Sequence, residues 1–157
     1  MRRDPKERQR MMERFEETIR SRGLKLTHQR IVVYREVAGT LDHPSIETIF
    51  RNVRKKLPTV SLDTVYRTMA LFADLGLVTA FRPFDERARF DANTDLHRHF
   101  VCTRCGATRD FEYRDFESLS IPEAAKALGR VDSRYIELRG LCAGCMKKSP
   151  PGTDPGI

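Results

Sequence analysis

Residues 91–110 read DANTDLHRHFVCTRCGATRD, and this single run holds Asp91, His97, His99, Cys102, Cys105 and Asp110. The other two of the four cysteines, Cys142 and Cys145, form a second C-x-x-C pair downstream. A C-x-x-C turn brings two thiolates to one side of a tight knuckle, and two knuckles supply the four soft sulfurs of a closed tetrahedral Zn²⁺ site. The interval between the pairs exceeds that of a compact zinc ribbon, so a folded element is expected between them. Two disulfides would need an oxidising compartment, whereas the N-terminus lacks the apolar core of a secretory signal. A thioredoxin-like redox site would need one such motif at a helix start, not two matched ones. Cys102, Cys105, Cys142 and Cys145 are therefore assigned to structural zinc.

Four thiolates saturate a zinc ion, which leaves His97 and His99 for another role. Residues two apart on a strand point to the same face, so the two imidazoles converge, and Asp91 and Asp110 offer hard oxygen ligands in the same run. An H-x-H pair also fits two histidines on a solvated strand. Adjacency to the cysteine knuckle, the two aspartates and a further histidine, His43, favour a second site of nitrogen and oxygen donors.

The chain has 157 residues, enough for one domain or two small ones, and its apolar runs are too short for a membrane span. A formal net charge of +7 points toward a polyanion. The excess is uneven. Residues 1–81 hold 16 Lys and Arg against 10 Asp and Glu, while the remainder is nearly balanced. Basic character in the half without cysteines suggests nucleic-acid binding there and metal binding behind it.

The first ten residues are mostly charged and are expected to fray. Met12, Phe15 and Ile19 then recur at helical spacing until Gly23. Thr27 can cap a second helix that turns Ile31, Tyr34 and Val37 inward, and Ser45 a third with Ile46, Ile49, Phe50 and Val53 as its apolar stripe. Ser61 can cap a fourth, whose buried face is read as Leu62, Val65, Met69 and Phe72. Helices joined by tight turns suggest a helix-turn-helix bundle. Two β-leaning runs, 77–84 and 87–91, follow as a hairpin turning at Asp85-Glu86, which is what a winged helix requires; this wing carries Arg82, Arg87 and Arg89. Beyond Asp91 the pattern predicts short strands at 100–102 and 108–113, a helix over 116–128 and a strand over 131–139. This second part is small for a core of its own, and a zinc staple or a partner subunit would supply the missing stability. The Pro- and Gly-rich tail has too few apolar residues to pack and is read as disordered. The resulting class is α+β, with a winged helix-turn-helix domain over 1–91, a metal-binding dimerisation domain over 92–148 and a tail over 149–157.

The fourth helix opens Ser61-Leu-Asp-Thr-Val-Tyr-Arg-Thr68. Its outward residues Thr64, Tyr66 and Arg67 are of the types that touch phosphates, base edges and thymine methyls from a major groove. The same pattern fits a solvated amphipathic helix with a packed tyrosine, and the wing and the basic half favour DNA. Ser61 at its cap and Arg30 near the start of the second helix complete the candidate DNA-binding set, while His28 is read as surface.

In order along the chain, Gly23-Leu-Lys-Leu-Thr27, Arg30, His43-Pro-Ser45, Thr64-Val-Tyr-Arg67, Arg89-Phe-Asp91, His97-x-His99 and the two C-x-x-C pairs resemble the ferric uptake regulator (Fur) family over nearly the whole length. The resemblance implies a winged-helix DNA-binding domain, a hinge and an α+β dimerisation domain with a four-cysteine zinc site. It further implies a cytoplasmic homodimer whose two-fold axis matches a pseudo-palindromic, A/T-rich operator in double-stranded DNA. By the same resemblance a regulatory Fe²⁺ or Mn²⁺ takes His43, Asp91, His97, His99 and Asp110. Aspartate at 91 and 110 looks like the peroxide-sensing PerR branch, in which His43 and His97 would be the oxidation-sensitive ligands. The alternative is an iron- or zinc-responsive uptake repressor of the Fur or Zur type. Ser133-Arg134-Tyr135 lacks the histidine often found there in those branches.

Two other classes fit less well. A metalloenzyme would hold catalytic zinc on His97, His99 and an Asp, but no Glu or His is clearly placed as general base, so the chain is read as a non-enzyme. A zinc-ribbon adaptor for protein or RNA would leave the winged-helix pattern unused.

Overall fold

The computed structural model describes residues 1–82, 87–95, 97–113, 115, 118–131 and 136–148. The chain divides into two compact units, Met1–Asp95 and Leu96–Ile157.

In the first unit four helices build the core. Helix α1 (Pro5–Ser21) opens on an Asp4 cap whose carboxylate accepts from the Lys6 and Glu7 amides, with Pro5 in the first turn, where its missing N–H costs nothing. The expected fraying of residues 1–10 is therefore corrected: the helix begins at Pro5, and Arg3 ahead of it is 4% exposed. Charge alone misleads here, because a buried ion pair anchors the segment. Helices α2 (His28–Ala38), α3 (Ile46–Arg54) and α4 (Leu62–Asp74) are capped by Thr27, Ser45 and Ser61, each hydroxyl accepting an amide of the first turn. Gly23 and Gly76, both at φ 66°, end α1 and α4. Each lets the following leucine amide reach back, Leu24 to the Ile19 carbonyl and Leu77 to that of Phe72.

These caps set the faces that pack. Phe15 stacks on Tyr34 with centroids 4.4 Å apart, and Phe72 meets both edge-on at 5.4 and 5.6 Å. Around this trio close Ile19, Val33, Val37, Ile49, Val53, Val65 and Met69. On α4 the inward set is Val65, Thr68, Met69 and Phe72. Leu62, expected inside, is 39% exposed. As the first helical residue it lies one turn before the core, and Thr68 takes the inward position by donating its hydroxyl to the Thr64 carbonyl at 2.7 Å.

A two-stranded antiparallel ribbon of β1 (Thr79–Phe81) and β2 (Arg89–Asp91) follows, in register Thr79↔Asp91 to Phe81↔Arg89. This is the expected wing; its anticipated turn at residues 85 and 86 lies outside the described residues. Strand β2 also meets the loop before α3, through an Arg89–Ser45 bridge and the Phe90 amide on the Pro44 carbonyl at 3.1 Å.

The second unit carries a three-stranded sheet in the order β4-β3-β5: β3 (Arg98–Cys102), antiparallel β4 (Thr108–Phe111) and parallel β5 (Glu137–Gly140). The expected helix over 116–128 shrinks to one turn, α5 (Glu123–Lys126), because Pro122 excludes helical backbone at Ile121. Residues 116 and 117 of that expectation lie outside the described residues. So do residues 132–135 of the expected last strand and the whole tail 149–157; Val131 is not in a strand. Helix α6 (Ala143–Met146) follows directly on Cys142, its N-cap.

Phe72→Ala removes the ring that bridges Phe15 and Tyr34 and should destabilise the first unit by about 3–5 kcal/mol. Thermal melting of the variant against the unaltered chain measures it.

Candidate functional site

The two C-x-x-C knuckles come from the ends of neighbouring parallel strands. The first is tightened at Gly106, φ 66°, whose amide donates to the Cys102 carbonyl at 2.9 Å. The second follows β5, and the Cys145 amide donates to the Cys142 carbonyl at 2.8 Å. All four Sγ atoms lie within 4.8 Å of one another, and Cys105 and Cys142 stand 3.8 Å apart. Tetrahedral thiolates at about 2.3 Å from zinc are about 3.8 Å apart, so the cluster fits that ion. The Cys142 amide, donating to the Cys102 sulfur at 3.3 Å, is the chief cause that pulls the Cys102 thiol down to about 6. Burial first, and its sulfur neighbours second, push Cys145 up to about 12. One sulfur is thus ready to ligate at neutral pH, and another must surrender a proton to the metal.

In the same unit His99 on β3 pairs directly across from Asp110 on β4, and His97 lies two residues earlier. The imidazoles meet edge to face, Nε2 to Nε2 at 3.0 Å, and both Nε2 atoms are 3.7 Å from Asp110 Oδ1. The two imidazoles converge, although His97 lies one residue ahead of β3. Two nitrogens bound at right angles to one ion at about 2.1 Å would stand about 3.0 Å apart.

The first unit brings together the other two candidate ligands. His43 is 1% exposed and Asp91 2%. The His43 Nε2 is 3.1 Å from Asp91 Oδ2, and its ring meets Phe81 of β1 edge-on. His43 sits at φ 46°, a left-handed backbone that a non-glycine residue holds only when its surroundings impose it. The imposition comes from the Pro44 carbonyl and Ser45, both tied to β2.

Sequence reasoning missed two partners of Asp91. Its Oδ1 accepts from Arg3 Nη2 at 3.2 Å and from the Asn93 amide at 2.8 Å. Asn93 was legible as an Asx turn in Asp-Ala-Asn. No sequence pattern marks Arg3, since a contact across 88 positions has no period.

The candidate DNA-contacting residues divide. Ser61, Tyr66 and Arg67 are exposed on α4, with Thr64 half-buried beside them. Arg67 pairs with Asp63 at 2.9 Å, while the Ser61 and Thr64 hydroxyls hold each other at 2.7 Å in the cap. Arg30 is on α2, half-buried, with its guanidinium folded back on the Lys25 carbonyl.

A helix-turn-helix with a β wing, carried in one chain with a four-sulfur cluster and a set of imidazole and carboxylate donors, defines a winged-helix protein equipped to bind metal. The model of the ferric uptake regulator family matches residues 21–136, and the chain belongs to that family. It is 30% identical over 132 residues to the peroxide operon regulator of Bacillus subtilis, covering 84% of this chain and 91% of that one. The crystal structure of the Campylobacter jejuni peroxide stress regulator superposes with a TM-score of 0.61 at 26% identity, over 82% and 97% of the two chains. That of the Vibrio cholerae ferric uptake regulator gives 0.62 at 28%, over 80% and 98%. No described helix is long and apolar enough to cross a membrane.

Because Cys145 must lose a proton to ligate, zinc retention should weaken as pH falls, and more steeply below about 6, where Cys102 must give up its proton too. Zinc release followed with a chromogenic chelator across that range tests it. Cys102→Ser or Cys145→Ser should abolish zinc binding and lower the melting temperature wherever the unaltered chain retains zinc.

Proposed function

We propose that this chain is a metal-dependent homodimeric repressor that binds pseudo-palindromic, A/T-rich operator DNA and leaves it when peroxide oxidises His43 or His97. The observation that carries this reading is the division of the nitrogen and oxygen donors. His43 and Asp91 are buried in the winged-helix unit, and His97, His99 and Asp110 converge in the other. One Fe²⁺ or Mn²⁺ taking all five would tie the units together, with the four cysteines keeping their own Zn²⁺. Three imidazoles and two carboxylates suit Fe²⁺ or Mn²⁺ and leave one octahedral position for a small molecule.

An ion shared in this way selects one arrangement of the units only if it binds that arrangement more tightly than others. The residues of this chain supply the preference: His43 is held in a strained backbone and Asp91 in a dry pocket, so neither can follow an ion that has moved away. Ferrous iron, when bound, would start the reduction of peroxide next to these imidazoles, and manganese would not; in the net step the imidazole gives up two electrons, one peroxide oxygen replacing the hydrogen of a ring carbon and the other leaving as water. An oxygen added to His43 or His97 removes a ligand lone pair, and the preference for the DNA-binding arrangement goes with it.

For DNA, the chain offers Ser61, Thr64, Tyr66 and Arg67 on α4, Arg30 on α2 and the wing residues Arg82, Arg87 and Arg89. We assign 1–91 to DNA binding, 92–148 to metal binding and dimerisation, and 149–157 to a tail, and operator binding places the protein in the cytoplasm. Pairing of two chains is supported by the second unit's apolar exposure: Leu128 is 90% exposed, Met146 61% and Leu138 49%, beside a meagre buried set. The likeness to the Vibrio cholerae protein supports a second reading, an iron-responsive uptake repressor on the same scaffold.

Operator binding by the Fe²⁺ and Mn²⁺ forms, each with and without peroxide, tests the proposal. The Fe²⁺ form should lose binding while one oxygen appears on a His43 or His97 peptide, and the Mn²⁺ form should keep it. Unchanged binding without added oxygen would leave the uptake-repressor reading. Arg67→Ala should weaken operator binding by about 1–3 kcal/mol.

A further inference from the structure

Residues 1–3 form a strap along the end of α2. Arg2 bridges Thr40, the Arg3 amide donates to the Gly39 carbonyl at 3.2 Å, and the Leu41 amide donates to the Met1 carbonyl at 3.0 Å. The strap delivers the Arg3 side chain, 1% exposed, into the interior. There its two terminal nitrogens divide: Nη1 pairs with Glu7, while Nη2 meets Asp91 Oδ1 at 3.2 Å and the Thr40 carbonyl at 3.4 Å. Asp91 Oδ1 also accepts the Asn93 amide at 2.8 Å, whereas Oδ2 faces His43 Nε2 at 3.1 Å.

The two oxygens of Asp91 are thus differentiated. We propose that Arg3 is the positioning residue of the regulatory metal site: with the Asn93 amide it occupies Oδ1, so Asp91 offers a single oxygen, Oδ2, beside His43. This rests on the reading of His43 and Asp91 as metal ligands. A carboxylate with both oxygens available can turn about its Cβ–Cγ bond and chelate through both, filling the position left for a small molecule. With Oδ1 held on two donors it cannot turn, and its orientation is set before the ion arrives. Arginine suits the place because its planar fork reaches Glu7 on one side and Asp91 with Thr40 on the other; a single lysine ammonium cannot span all three. Guanidinium charge is also permanent, so the arrangement does not depend on the protonation of the positioning group.

The test uses full-length, zinc-loaded dimer titrated with Co²⁺, whose ligand-field absorption reports coordination number. Unaltered protein should take up one Co²⁺ per chain beyond the zinc, and Asp91→Asn should lose it. If the unaltered protein takes up none, the ligand reading falls, and this inference with it. Given that uptake, Arg3→Gln should weaken Co²⁺ binding roughly ten- to hundredfold and change the absorption envelope. Arg2→Ala, which removes an exposed charge from the strap and keeps its main-chain bridge to Thr40, should change neither. Arg3→Lys, retaining the charge without the fork, should alter the envelope and weaken binding less than Arg3→Gln. It also serves as the deciding variant if Arg3→Gln does not melt cooperatively. A folded Arg3→Gln or, failing that, Arg3→Lys dimer with unaltered zinc content, envelope and affinity would overturn the assignment of Arg3 while leaving the ligand reading intact. A weakening matched by Arg2→Ala would overturn it as well, since loss of a positive charge from the strap would then account for the effect.

Discussion

A carboxylate with 2% of its surface exposed cannot stand in a protein interior without partners, and the partners of Asp91 organise the winged-helix unit around it. Its oxygens draw the Arg3 guanidinium, the Asn93 amide and the His43 imidazole to one point. Those groups come from the strap before α1, the chain leaving the wing and the loop between α2 and α3. One buried charge therefore ties together segments that the apolar core leaves at its edge. The left-handed backbone at His43 is tolerated because β2 holds the next two residues by main-chain bonds.

The donors divide by softness. Sulfur gathers where the second unit has little else to hold it, since its buried apolar residues among those described are Val101, Cys102 and Cys145. A tetrahedral ion there replaces the missing core, and its binding energy is folding energy. Imidazole and carboxylate make up a separate set, donors suited to ions that exchange and carry redox chemistry. A chain that keeps the two sets apart can lose one metal without losing its fold, and a sensor needs that separation.

The helix proposed to read DNA is held by the same economy of groups. Ser61 and Thr64 are engaged in the cap, and Arg67 rests on Asp63, so α4 presents a formed surface rather than loose side chains. Tyr66, 52% exposed, stands on that face.

Much of this was legible along the chain. Helix caps announce themselves by short polar side chains before apolar stripes, so α2, α3 and α4 start where Thr27, Ser45 and Ser61 say they should. The spacing of two residues in His97-x-His99 and the doubled C-x-x-C carry their geometry locally, because a strand period and a knuckle are both short-range. Where sequence reasoning failed, the deciding contact was distant or a local veto was overlooked. Pro122 should have stopped a helix over 116–128, and Leu62 was counted inward although it precedes the turn that packs. Only the tertiary structure could show Arg3 buried on Asp91, for the energy of pairing two charges away from water depends on what surrounds them, and no pattern of neighbours along a chain records that.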